Sequence, residues 1–444
     1  MMSGVVWTLQ YDGLIMLAGV LCAVAASLPG NFLVLRRISL LGDAVSHAVL
    51  PGIAVGFLLT ESRTGIPVFL GAVGAGLLTA MLTEWIRSVG AVDEGAATGV
   101  VFTILFAVGL ILIVRTADRV DLDPGCVLYG SLEDSPLHTV SFAGLEVPRI
   151  VLILGGVVIV NLLFVGVLFK ELMICSFDPG LATTEGFSAR LLHYLLMVDV
   201  AITAVACFEA AGNILVVAMF IVPPATAMLL TTQLKRMIAL SAGLTAMSAM
   251  MGDFGATFVT TWMGFGSTST AGMMTLSAGL LFLAAALFSP QTGVLSRVFS
   301  RRRLGLRILE EDVLAFLYRM REQQQSGAST ELLQTRLLAS SVSLGLILRL
   351  QRWRGILESG RDGWVLTDRG IDVAASLVRS HRLWESYLVT GGISPDVIHR
   401  QAEKLEHYTG HSLQQRLDNQ TDAADTDPHG RPIPRSTDQG EGEA

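Results

Sequence analysis

Gly42-Asp43-Ala44-Val45-Ser46-His47-Ala48-Val49-Leu50-Pro51-Gly52 sets an acid and an imidazole inside an apolar segment. Ionisable groups are expensive in hydrocarbon, so an Asp and a His within such a segment point to a functional site. On a helix, Asp43 and His47 stand four apart and share a face. Carboxylate plus imidazole suits a borderline divalent metal such as manganese, iron or zinc. Pro51 has no N–H, so the carbonyl of His47 loses its usual i+4 donor and is free to face an ion. The plainer alternative is a helix-start cap by Asp43 and an interhelical hydrogen bond from His47.

The surrounding composition places this stretch in a bilayer. The 444 residues are 52% hydrophobic and only 16% charged, and the mean hydropathy is +0.58. Soluble domains carry about 25% charged residues. Charge is divided unevenly. Residues 1–296 carry 11 Lys and Arg against 18 Asp and Glu, residues 297–411 carry 17 against 13, and residues 412–444 carry 3 against 7. The shift marks a transmembrane domain over 1–296, a soluble domain over 297–411, and a polar, acidic tail over 412–444 that is expected to be disordered. The four cysteines are scattered without a C-x-x-C pair, so neither a disulfide framework nor a zinc knuckle is suggested. No cleavable signal is expected, because the first apolar run lacks a basic n-region and leads into further spans.

Apolar runs recur at about 11–34, 42–60, 66–86, 97–114, 150–169, 191–208, 212–231, 236–252 and 270–289. A spanning helix needs about 20 such residues. Arg36-Arg37, Arg87, Lys170, Lys235-Arg236 and Arg301-Arg302-Arg303 mark the cytoplasmic side, and the acidic loop around Asp118, Asp121 and Asp123 the outside. The expected fold is an all-α polytopic protein of the cytoplasmic (inner) membrane. It has about nine spans (eight as the alternative), an outer N-terminus and a cytoplasmic C-terminus. A short re-entrant or interfacial helix is expected within 120–148. Asp199, Glu209, Asn213 and Asp253 are further polar residues in or near spans, with Glu209 and Asn213 as i,i+4 partners if their helix is continuous. Pro223-Pro224 frees the carbonyls of Met219 and Phe220, either to line a pathway or as a plain kink.

None of the three lysines is followed by Ser or Thr, so no phosphate-cradling G-x-x-x-x-G-K-[ST] loop is present. If ATP drives this protein, another subunit binds it. The Phe177-Asp178-Pro179 loop, running on to Gly186, is the candidate contact; an ordinary connector is the alternative.

Residues 304–411 read as a winged helix-turn-helix followed by a helical module. The Leu309–Gln325 helix, the Thr330–Ala339 and Val342–Arg354 pair, and a Gly360-Arg361-Asp362-Gly363 hairpin come in that order. Farther on, His399, Glu403, Glu406 and His407 fall at i, i+4, i+7 and i+8 on one helix face, and His381 and Glu385 stand four apart on the preceding helix. Such a set points to metal binding; a surface ion-pair network is the alternative.

Two family resemblances emerge from these residues. Leu35-Arg36-Arg37, Gly42–Gly52, Phe177-Asp178-Pro179, Gly212–Met219 with Pro223–Ala227, and Leu287–Pro290 resemble the membrane permeases of ATP-binding-cassette importers for manganese, zinc and iron. The resemblance covers about residues 10–295. It implies a homodimer in membrane lipid, separate cytoplasmic ATP-binding subunits docking on the 177–187 loop, and an extracytoplasmic metal-binding protein that delivers the ion. It implies no enzymatic activity in this chain, and it assigns Asp43 and His47 to the metal pathway. The Leu366–Gly370, His381–Glu385 and His399–His407 segments resemble the diphtheria-toxin-repressor family of iron- and manganese-dependent repressors. That resemblance implies two neighbouring metal sites from His381, Glu385, His399, Glu403, Glu406 and His407, with Asp312 as a further match. Ala315 departs from it, standing where manganese-sensing members carry Glu.

The combined expectation is a metal importer's permease whose cytoplasmic domain senses metal and feeds back on transport. A net charge of +4 over 297–411 is modest for a nucleic-acid footprint, so DNA binding is open but not favoured. The rival functions are a membrane-anchored metal-responsive transcription regulator and an ion-coupled secondary carrier.

Overall fold

Hydrocarbon offers no partner for a backbone amide, so a spanning segment must satisfy its own hydrogen bonds as a helix. The computed structural model shows that outcome. It describes residues 11–434, apart from 39, 61–65, 91, 118–131, 138, 143–144, 260–261, 263–267, 291 and 422–424. The acidic loop around Asp118, Asp121 and Asp123 lies outside the described residues. The chain divides into two units, Met1–Ser296 and Arg297–Ala444.

The first unit contains α1 (Asp12–Leu35), α2 (Leu40–Thr60), α3 (Ile66–Gly90), α4 (Glu94–Ala117), α5 (Arg149–Val167), α6 (Phe169–Phe177), α7 (Pro179–Thr184), α8 (Ala189–Leu230), α9 (Leu234–Phe254) and α10 (Thr270–Phe288). Eight of these, all but α6 and α7, are long and apolar enough to cross a membrane. Within 132–148 the chain forms a 3₁₀ turn, Leu132–Leu137, and an antiparallel hairpin of β1 (Thr139–Phe142) and β2 (Leu145–Pro148). Of the short helix expected within 120–148, the described residues show the six-residue 3₁₀ helix Leu132–Leu137, and 120–131 lie outside them. Val140 and Val147 pair across the hairpin, and β-branched residues favour a pleated surface.

The 42-residue α8 is two helices joined at Gly212, whose φ of 73° and ψ of 174° interrupt the helix. Its direction follows from its neighbours. Tyr11, just before α1, and Thr270, opening α10, both bond Glu133 (3.4 and 2.8 Å), so α1 and α10 start at one end of the bundle. At the opposite end, Arg36 donates to Ser176 of α6 (3.1 Å) and shares a cavity with Ala189 and His193 from the start of α8. Ser289, just past α10, donates to the carbonyl of Leu229 in the last turn of α8 (2.7 Å). Both ends of α8 therefore lie together, and the chain reverses at Gly212. Among the described residues, eight helices thus make nine crossings.

Small residues set the packing. A Cβ on Gly30 of α1 would stand 2.3 Å from the carbonyl oxygen of Phe220, and one on Gly52 of α2 would stand 2.1 Å from that of Gly71 in α3. Such positions let helix backbones meet. Pro224 has freed the Phe220 carbonyl, and the oxygen faces Gly30. Buried amides tie the helices together: Asn161 donates to Ala25 O and Thr203 Oγ1 (both 2.9 Å), and Asn31 donates to Ser241 Oγ (2.8 Å).

The second unit opens with α11 (Val294–Glu322), whose N-terminal turn begins before the boundary. It continues through α12 (Thr330–Arg336), α13 (Ser341–Trp353), and the antiparallel strands β3 (Leu357–Gly360) and β4 (Gly363–Leu366). Val313, Leu314, Leu317, Leu333, Leu344, Leu348 and Leu357 form its core. Gly363 (φ 130°) takes a backbone conformation suited to glycine, and any Cβ there would stand 2.2 Å from the Ala328 carbonyl oxygen. Next come α14 (Asp368–Thr390), α15 (Pro395–Glu406) and α16 (His411–Gln420).

The described residues up to 434 correct the sequence expectation of disorder after residue 411. Asp418 of α16 makes a two-oxygen salt bridge with Arg379 (2.5 and 2.6 Å). Asp427 lies 3.6 Å from Arg382, whose guanidinium also bonds Glu322 and the Pro432 carbonyl. Leu417 and Ile433 pack against Leu383. The sparse anchors of this polar segment suffice because α14 presents two arginines to it.

Candidate metal path and metal-binding clusters

The Gly42–Gly52 stretch forms the first half of α2, with Pro51 inside the helix. His47 Nε2 lies 3.5 Å from Asp43 Oδ1 and 3.2 Å from Asn213 Nδ2. The break at Gly212 makes Asn213 the first residue of the returning half of α8. Its Oδ1 is buried without a partner. Rotation of the amide would present that oxygen to the same point. Phe102 and Phe106 of α4 flank the imidazole, both rings 5.8 Å away. Asp43 and Asn213 line one cavity with Ile214, Val217, Ala218, Ile221 and Val222. The result is a few polar donors on an otherwise apolar wall.

The other intramembrane candidates go elsewhere. Glu209 and Asn213 are not partners, because the break at Gly212 turns them apart; Glu209 instead pairs with Arg149 (3.4 Å). Asp199 is buried with Oδ2 unpartnered. Asp253 is buried in the last turn of α9. The connector from Phe177 to Gly186 contains the six-residue α7, started by the Asp178 carboxylate accepting from Leu181 N (2.9 Å). Pro179 sits at its first turn, where a missing N–H costs nothing. Gly186 takes a positive φ of 89°. Phe177 and Leu181 are exposed.

In the second unit, α14 and α15 bring the sequence-separated donors of one cluster together, and α11 and the end of α15 those of a second. His381 Nε2, Glu385 Oε1 and His399 Nδ1 form a triangle with edges of 3.2, 3.2 and 2.7 Å. Ligands of a tetrahedral zinc at about 2.05 Å stand about 3.3 Å apart, so this donor set fits a small divalent ion. The other nitrogen of His381 bonds Glu406 at 2.6 Å, the carboxylate–histidine arrangement that orients metal-ligating imidazoles. The second cluster is Asp312, Glu406 and His407. His407 Nε2 lies 3.6 Å from Asp312 and 3.9 Å from Glu406, while its Nδ1 bonds Glu311 at 2.7 Å. Glu403 lines a cavity with Asp312 and His407 and is not in either cluster. Ala315 is buried and offers no donor.

The carboxylates draw positive charge to both clusters, protons included. Burial raises Asp312 to about 6 despite His407, and Glu406, Glu403 and Glu311 add to the rise. Burial would raise Glu385 too, but the hydrogen bonds and charges of His381 and His399 outweigh it and leave Glu385 at about 2. His381 is raised because its bonds to Glu385 and Glu406 outweigh burial. His407 is raised chiefly by its bond to Glu311, against burial.

Two contributors escaped the sequence reading. Glu311 holds His407, and His429 reaches within 3.7 Å of Glu385 from the C-terminal segment. Glu311 adjoins the recognised Asp312, so its position carried a signal. His429 carried none, because a presumed tail gave no reason to place it.

Residues 11–289 match the model of the ABC 3 transport family. The chain belongs to the ABC 3 transport family. It is a multi-pass membrane permease, and ATP hydrolysis resides on a separate subunit. The ABC 3 permease from this chain is 42% identical over 290 residues to the manganese transport system membrane protein MntD of Bacillus subtilis, covering 65% of this chain and 96% of that one. It is 36% identical over 362 residues to the zinc transport system membrane protein TroD of Treponema pallidum, covering 81% and 97%. PsaBC from Streptococcus pneumoniae, solved in complex with Fab, is 30% identical with a TM-score of 0.53, covering 65% of this chain and 94% of that one. Residues 367–435 of the ABC 3 permease match the iron dependent repressor, metal binding and dimerisation domain. That span includes α16 and the segment holding His429.

Proposed function

We propose that this permease conducts manganese or zinc inward past Asp43, His47 and Asn213, and that its C-terminal clusters take up the same kind of ion from the cytoplasm. Manganese and zinc are the metals named for the relatives above. The observation that carries the proposal is the convergence of an Asp, a His and an amide from two spanning helices on one point of an apolar wall. A conduction site must bind well enough to admit its ion and weakly enough to release it. A carboxylate and a rotatable amide at 3.5 and 3.2 Å from the His47 imidazole, both lining a cavity, suit that requirement.

In this reading the Arg-rich ends of the spans face the cytoplasm. The exposed Phe177–Gly186 connector receives the ATP-binding subunit, an extracytoplasmic binding protein supplies the ion, and the permease works as a homodimer. The C-terminal unit biases transport only if metal binds it with different affinity in the two transport states.

Uptake of radiolabelled manganese and zinc tests this in cells carrying the ATPase and binding protein. Asp43→Ala and His47→Ala are expected to reduce uptake of one metal to background at normal protein levels. Unchanged uptake in both variants would remove the pair from the pathway. Altering Asp178 to Gly186 is expected to abolish uptake together with copurification of the ATPase.

A further inference from the structure

The outward face of α13, the second helix of the helix-turn-helix, is apolar. Val342, Leu346, Leu350 and Trp353 fall at i, i+4, i+8 and i+11, forming one stripe along the helix. Their exposures are 81, 56, 37 and 85%, and Leu338 in the preceding turn is 92% exposed. The opposite face, Leu344, Ile347 and Leu348, is buried in the winged-helix core. Base edges in a major groove are read chiefly through hydrogen bonds. Within this stripe, only the Trp353 indole has a side-chain polar atom.

The charge on α13 itself has one sign. From Leu332 to Leu357 the chain holds four arginines and no acidic residue. Arg354 pairs with Glu310; Arg349 and Arg352 are exposed beside the stripe. An apolar stripe with an interfacial Trp and flanking arginines is the composition of a helix lying in an anionic membrane surface. Chain connectivity tethers the second unit to the same membrane. The last spanning helix ends at Phe288 and α11 begins at Val294. The first turns of α11 repeat the composition, with exposed Val294, Leu295, Val298 and Phe299 among Arg297 and Arg301–Arg303.

We propose that the exposed face of α13 docks on the anionic surface of the membrane that holds the permease. Val342, Leu346, Leu350 and Trp353 enter the boundary between headgroups and acyl chains, and Arg349 and Arg352 pair with lipid phosphates. The element laid out as a DNA reader is thereby a lipid reader. The docking does not depend on which metal is carried.

The test uses the full chain in nanodiscs whose lipids are brominated on the acyl chains. Subtracting the spectrum of Trp353→Phe from that of the parent isolates the emission of Trp353. In discs containing phosphatidylglycerol, that emission is expected to fall by on the order of half relative to unbrominated discs, as an interfacial Trp requires. Leu346→Ser, at an exposed position, and the Arg349→Gln/Arg352→Gln pair are each expected to reduce the quenching without changing the circular dichroism. A random-sequence DNA duplex in excess should leave it unchanged. Absence of quenching overturns the proposal. So does loss of quenching on adding duplex with formation of a protein–DNA complex, which assigns the face to nucleic acid. Equal quenching in purely zwitterionic discs, indifferent to the arginine variants, also overturns it.

Discussion

The membrane cluster and the C-terminal clusters hold the same donor types in opposite ways. Around His47 the donors are few, spaced 3.2–3.5 Å apart and set against phenylalanines. Around His381 and His407 each imidazole is held through its second nitrogen by a carboxylate, Glu406 or Glu311, at 2.6 or 2.7 Å. That support fixes the ring and raises its basicity. A group that passes an ion onward gains from loose donors. A group that reports metal concentration gains from donors fixed before the ion arrives. The difference lies in the carboxylates behind the imidazoles more than in the donor types.

The largest test of that contrast separates the two places outright. His47→Ala is expected to reduce uptake to background while the C-terminal unit keeps its metal. His381→Ala is expected to leave the conduction path intact and to weaken metal binding to the C-terminal unit by on the order of 100-fold or more, read by equilibrium titration of the purified permease. Loss of uptake in both variants to the same extent would erase the division of labour.

A smaller effect probes the supporting shell. Glu311→Gln keeps a hydrogen-bonding side chain beside His407 but removes its charge. The expected cost is about 10-fold in metal affinity, with no change in uptake at saturating metal. A loss as large as that of His407→Ala would make Glu311 itself a ligand.

The pH dependence sharpens the comparison further. Glu385 sits at about 2 in the folded metal-free unit, below the ordinary value of about 4.3. Its contribution to stability is present above about pH 4.3 and is lost as pH falls through about 2. His381 is raised above its ordinary value. Its contribution is complete below about pH 6.5 and is lost as pH rises through the raised value. From these two groups the metal-free unit is most stable between about pH 4.3 and 6.5. Metal requires the deprotonated imidazole, so the metal-induced rise in melting temperature is expected to grow as pH climbs past that window. Thermal melts with and without manganese across pH 5 to 8 measure it; a metal-induced rise independent of pH would remove His381 from the ligand set.

The smallest expected effect concerns the C-terminal segment. Asp418→Asn loses one half-buried ion pair with Arg379 and is expected to cost about 1 kcal/mol in the C-terminal unit. Denaturant unfolding of that unit reads it, and no loss would make α16 incidental to the clusters.

Much of this was legible in the sequence, for reasons that differ by element. Asp43 and His47 stood out because polar residues are rare in apolar runs, and the spans stood out by length. His381 with Glu385, and His399 with Glu403, Glu406 and His407, were visible because helical spacing is local. Their division into two clusters was not visible, because it depends on how α11 and α14 each meet α15. Glu209 and Asn213 parted company through the backbone of Gly212, which no spacing rule records. The segment after residue 411 looked disordered because its average composition is polar. Its fold rests on pairs such as Arg379 with Asp418 and Arg382 with Asp427, whose partners are distant in sequence.

The reversal at Gly212 gives the permease a mechanical property. The rising half of α8, Ala189 to Ala211, starts just after the exposed α7 connector and ends beside Asn213. At 1.5 Å per residue it is a rod about 34 Å long. Tilting such a rod by about 3° at its connector end displaces the far tip by about 2 Å, comparable to one metal–ligand bond. A modest push at the connector would then suffice to make or break the Asn213 amide's contact with His47, with the connector as the pivot and the break at Gly212 leaving the tip free to move.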